Sequence, residues 1–197
     1  MCRRPLRSIG SALLALAILT ATGCGDSSSA EGPSAGGDAL APAGPADEGI
    51  EGVVAFRVAS ADHTEAPVDY ELRPSPGGPH HPVWANCGFY DQAVADEHLV
   101  HDLEHGAVWL AYAPDLAEAD VERLHDLVRA NDKTVAAPHP DLPAGVAVVA
   151  SAWARQLEVT SVDDPRLERF VVRYQDGSQA PESGATCSGS PVGSPIP

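Results

Sequence analysis

His98-Leu99-Val100-His101-Asp102-Leu103-Glu104-His105-Gly106-Ala107-Val108-Trp109-Leu110-Ala111-Tyr112 is the stretch whose reading decides the fold. In a helix from Asp96 to His105, at about 100° per residue, His98, His101 and His105 share a stripe roughly 60° wide, with Glu104 at its edge. Gly106 is the expected stop, and the apolar run Ala107 to Tyr112 reads as a buried strand. The histidines are thus presented where a helix hands over to a strand.

Upstream, Val53, Val54, Phe56 and Val58 mark a first strand within Glu51 to Ala59, and Tyr70-Glu71-Leu72 is a candidate second. Between Arg73 and Pro82, four prolines and the Gly77-Gly78 pair exclude regular structure. That loop delivers His80 and His81, and its stiffness lowers the entropy lost in holding a side chain in place. His63, in a polar loop without a local partner, reads as a surface residue.

Downstream, Asp115 as N-cap with Glu118 three residues on predicts a helix to about Ala130, buried through Leu116, Val121, Leu124, Leu127 and Val128. His125 lies beside that stripe, as a solvated helix residue. Thr134 to Ala137 is a short strand, and Val146 to Ala154 is the candidate central strand. Asp163-Asp164-Pro165 starts a last helix packed through Leu167, Phe170, Val171 and Tyr174 and stopped by Gly177. The order predicts one α+β domain over 49–182. Two amphipathic helices cover one face of a mixed or antiparallel sheet of about 4–5 strands, beside a short histidine-bearing helix. A split βαβ, ferredoxin-like arrangement is one way to build it.

The flanks read differently. Arg3, Arg4 and Arg7 precede an apolar run, Ser11 to Ala21, shorter than the ~20 residues that span a bilayer, so 1–23 is expected to be a signal peptide. Ala21-Thr22-Gly23-Cys24 resembles a bacterial lipoprotein processing box, which implies lipidation of Cys24 and anchorage to the outer face of the cytoplasmic membrane. Residues 24–48, rich in Ser, Gly, Ala and Pro, read as a disordered tether, and 183–197 as a Pro/Gly/Ser-rich tail. Without the segment's three arginines, nine basic residues remain of 12, against 28 acidic ones, a formal charge of −19. So acidic a surface repels phosphate backbones, which argues against nucleic acid as a partner and leaves the membrane, through Cys24, and an unspecified envelope protein.

Gly78-Pro79-His80, Asn86-Cys87-Gly88-Phe89-Tyr90, Val100 to Val108, Ser151-Ala152-Trp153 and Ala180-Pro181-Glu182, in this order, resemble a bacterial family known as domain of unknown function 3105. The likeness spans about Pro74 to Glu182. Gly77 stands where that pattern has serine. The resemblance implies one domain with an extracytoplasmic address, and brings no activity with it.

The chemistry therefore rests on the residues. His101 and His105, one turn apart and joined by His80 or by His98, supply three nitrogens to zinc or copper, with Glu104 and Cys87 as further candidate ligands. No nucleotide or organic cofactor is indicated. His101-Asp102-Leu103-Glu104-His105 also fits the inverted zinc-peptidase motif H-x-x-E-H, in which Glu104 would be catalytic; the peptidase needs a longer helix than Gly106 permits and a further acidic ligand. The third reading is a metal-free corner in which His101 and Glu104 bond each other and the backbone. Once Cys24 is lipidated, Cys87 and Cys187 are the only cysteines left in an oxidising compartment, so a disulfide between them is expected as well.

Overall fold

The structure is a computed structural model and describes residues 40–46 and 49–197. The expected signal peptide and Cys24 lie outside the described residues. Among these residues, seven strands and three helices follow in the order β1 (Leu40–Pro45), β2 (Val54–Val58), β3 (Gly88–Phe89), α1 (Asp96–Glu104), β4 (Val108–Tyr112), α2 (Glu118–Arg129), β5 (Thr134–Pro138), β6 (Val148–Ala152), β7 (Arg155–Val159) and α3 (Pro165–Tyr174). The class is α+β, with seven strands in place of the expected 4–5.

They form one open mixed sheet, ordered β1-β2-β7-β6-β4-β5-β3. β6 lies at its centre, and β4 beside it is buried on both faces, as their unbroken apolar runs require. β4 and β5 run parallel and are joined through α2, whereas β3 and β4 flank β5 with α1 in their connection. The first crossover steps two places across the sheet and the second steps back one, so right-handed connections put α1 and α2 on opposite faces. The core divides accordingly. Val108, Leu110 and Tyr112 of β4 meet Leu124 of α2 and Phe170 of α3. Trp109 and Ala111 meet Leu99, Val100 and Leu103 of α1. Both longer helices thus cover one face, as expected, and α1 with the proline loop covers the other. A ferredoxin-like order is not formed, because β4 pairs in parallel with β5, the next strand after it.

Several local expectations are corrected. Tyr70-Glu71-Leu72 is loop, held where the Tyr70 hydroxyl donates to the Pro79 carbonyl at 2.7 Å. The Val146 to Ala154 run ends as β6 at Ala152, and the chain reverses at Ala154 (φ 59°) into β7, a strand not foreseen. α2 starts at Glu118 after Ala117, without a side-chain cap, so Asp115 does not cap it. Leu40–Pro45, assigned by composition to the tether, pairs with β2; an outer edge tolerates Pro42 and Pro45, whose missing N–H groups have no strand beyond to serve among the described residues.

The tail is tied to the domain. Cys87 and Cys187 form a disulfide, with Cα atoms 5.4 Å apart. The Asn86 side-chain amide donates to the carbonyls of Ser190, Val192 and Gly193, and the Ile196 N–H donates to Phe89 O at 2.8 Å, closing the β3 edge.

Candidate metal centre

α1 ends where the sequence places its stop. His105 is the C-cap, and Gly106, at φ 91°, turns the chain into β4. A β-carbon on Gly106 would stand 3.1 Å from both Cα and Oδ1 of Asp176, so the corner is closed by position as well as by torsion. Across the same face of the sheet, the proline loop brings His80 over α1, and a two-residue parallel bridge sets His63 beside His80. The His80 N–H donates to Asp62 O at 3.0 Å, and the Thr64 N–H to His80 O at 2.8 Å.

Four side chains converge there. His63, His80, His101 and Glu104 each offer one ligand atom, and these atoms lie within 4.8 Å of one another, so the group could hold a metal ion. His80, His101 and Glu104 are buried, at 0%, 3% and 5% exposure, and His63 lies at the mouth. Glu104 Oε2 is 3.0 Å from His80 Nε2 and 3.3 Å from His63 Nε2.

The tautomers follow from the backbone. A carbonyl only accepts, so Nδ1–H of His80 donates to Gly78 O (2.8 Å), that of His101 to His81 O (2.7 Å) and that of His105 to Thr186 O (2.6 Å). In each neutral ring the lone pair is then on Nε2. His80 turns that lone pair toward a carboxylate oxygen, and His101 and His105 set theirs 2.9 Å apart. Such contacts repel unless a proton or a metal cation lies between them. Burial, the largest influence, lowers the His101 pKa to about 4, and it also lowers that of His105. The rings are braced by Trp84, 5.7 Å from His101 and 5.2 Å from His105, and by Trp153, 6.0 Å from His80.

The other predicted ligands fare differently. His105 lies outside the four-residue group, one contact beyond His101, with its ring held by the Thr186 carbonyl of the tail. His98 is drawn to the loop, where its Nδ1–H donates to Val83 O at 2.6 Å and its ring packs on His81. Cys87 is spent in the disulfide and has no thiolate to offer. His125 is half-buried against Phe89, 4.9 Å between ring centroids, and not solvated. Glu104 sits among the ligand atoms, bonded to His63 and His80 and not to His101 as the metal-free corner had it.

Sequence reasoning missed His63, which joins through a bridge to a residue 17 positions on, with no helical or loop periodicity to announce it. It also passed over Asp102, fully buried, both oxygens without a hydrogen-bond partner although the Ala85 amide approaches. Burial raises its pKa well above the usual carboxyl value, and Asp102 is not one of the four residues whose ligand atoms converge.

A small α+β domain carrying a largely buried group of three histidines and one glutamate, with His63 at its mouth, is the class of protein that fold and site define. The family model for the protein of unknown function DUF3105 matches residues 62–189, and the chain belongs to that family. The match begins one residue before His63 and so takes in the whole group. No curated protein and no solved structure matches the chain.

Proposed function

We propose that this is an exported, lipid-anchored domain that holds one transition-metal ion on His63, His80, His101 and Glu104. The observation that carries the reading is the set of fixed tautomers: His80 and His101 have given Nδ1–H to backbone carbonyls and turn Nε2 inward beside a carboxylate. Holding one ring nitrogen on a carbonyl is how proteins orient imidazole ligands and strengthen them as donors. Three imidazoles and a carboxylate suit zinc or copper(II). Copper(I) is disfavoured, since Cys87 and Cys187 are oxidised and the chain's one methionine is Met1. The disulfide supports an oxidising compartment, in keeping with the expected signal peptide and Cys24 anchor.

The metal-free alternative is an imidazolium–carboxylate pair, in which a second proton on His80 donates to Glu104. Zinc titration of the purified, tag-free chain separates the two. One site per chain, weakened at least about tenfold in His63→Ala and abolished in His80→Ala and His101→Ala but kept in His125→Ala, is the expected result. No site tighter than about micromolar would leave the proton pair. The hydrolase reading has less support, because Glu104 lies within the ligand group rather than free to activate water; zinc-dependent peptide cleavage lost in Glu104→Gln would revive it.

A further inference from the structure

The metal reading leaves two neighbours unused: His105, and Glu182 from the Ala180-Pro181-Glu182 motif. Both are placed by the tail rather than by chance. The Glu182 N–H donates to Glu104 O at 2.9 Å, and Nδ1–H of His105 donates to Thr186 O at 2.6 Å. Lys133 donates to the carbonyls of His105 and Ala185, and Cys187 fixes the segment covalently. Glu182 Oε2 then lies 3.6 Å from His105 Nε2, which lies 2.9 Å from His101 Nε2. The side chains along this row are 58% exposed at Glu182 and 6% at His105. It is a continuous line of donor atoms from solvent to the buried group.

Three of the four ligands in that group are buried, so a hydrated ion cannot arrive with its shell intact; it must exchange waters for protein donors one at a time. The row supplies them in order. A carboxylate outside captures the cation, and an imidazole whose Nδ1–H is held by Thr186 O, leaving the lone pair on Nε2, takes it next. That nitrogen stands close to the ~3.3 Å that separates two nitrogens on one tetrahedral zinc, so the ion passes to His101 without being released. Resting on the metal reading, we propose that Glu182 and His105 form an exchange station through which a divalent transition-metal ion enters and leaves the His63, His80, His101 and Glu104 group.

The test is the rate of Co²⁺ loading, followed by stopped-flow absorbance, and the rate of Co²⁺ removal by excess EDTA. It is run on the purified mature chain and its Glu182→Gln variant, with Glu168→Gln, an exposed carboxylate on α3, as the control for lost charge. A station on the path accelerates both directions, so Glu182→Gln should slow loading and removal alike by about tenfold and leave the equilibrium affinity within about threefold. Glu168→Gln should alter neither by more than about twofold, and the contrast should survive high salt, which screens general charge steering. Equal slowing in both variants overturns the proposal. So does faster removal with weaker affinity in Glu182→Gln, which would make Glu182 a resident ligand. A parent chain that takes up no Co²⁺ overturns the metal reading as well, whereas normal uptake at unchanged rates overturns the station alone.

Discussion

Gly106 joins the ligand-bearing helix to the central sheet at a torsion and in a space that favour glycine. Gly106→Ala should cost about 1–3 kcal/mol in denaturant unfolding and displace Asp176, whose N–H donates to Gly106 O. An unchanged midpoint would mean that the corner relaxes freely. Gly77 is a parallel case: at φ 151°, with Val58 Cγ2 2.9 Å from where a β-carbon would stand, it disfavours any side chain, and Ser75 donates its hydroxyl to Gly77 O. The buried rings make a pH prediction. The folded His101 has a pKa near 4 against 6.5 for the free ring, and that of His105 is lowered too, so between those values the two rings bind more protons in the unfolded chain than in the metal-free fold. The contribution of these two rings is then fully present above about pH 6.5 and is lost as pH falls toward 4, whereas that of buried Asp102, whose pKa is raised, is lost as pH rises. Urea midpoints of the metal-free parent and of His101→Ala at pH 7 and pH 5 check this: the parent should lose more stability between pH 7 and pH 5 than the variant, and equal losses would contradict it.

The helices were legible because their faces and caps are written locally. Asp164 accepts from the Arg166 N–H at 2.9 Å with Pro165 in the first turn, as the Asp163-Asp164-Pro165 signature demands. Asp115 carries an equally good signature and caps nothing, since the chain turns once more before α2 begins. Asp164→Ala should therefore destabilise by about 1 kcal/mol and Asp115→Ala by less than about 0.5, read from thermal melts. Comparable losses would restore Asp115 as a cap. Strands were harder. The β6–β7 reversal uses Ala154 in a left-handed conformation, without the Gly or Asn that advertises a turn, so two strands read as one. β1 hides in a composition that elsewhere means tether, and only pairing with β2 reveals it. The candidate site split in the same way: His101, Glu104 and His80 could be read from helix spacing and loop stiffness, whereas His63 depends on a contact that no local pattern encodes.

At the scale of the whole molecule, the disulfide and the Asn86 contacts turn a low-complexity tail into part of the fold. Across a separation of 100 residues, the cross-link restricts the unfolded chain, and replacing both cysteines with serine should cost about 2–5 kcal/mol. Equal denaturation midpoints for parent and variant would show that the hydrogen bonds alone hold the tail. The tail in turn orients His105 and Glu182 against the His63, His80, His101 and Glu104 group, so the proposed exchange station depends on tail docking. The central claim is that His63, His80, His101 and Glu104 hold an ion. It is tested most directly by elemental analysis of the tag-free chain purified without chelators and equilibrated with zinc. The account predicts one zinc per chain, removed in His80→Ala while the fold persists. A folded parent chain that retains no zinc above the level of His80→Ala would contradict it.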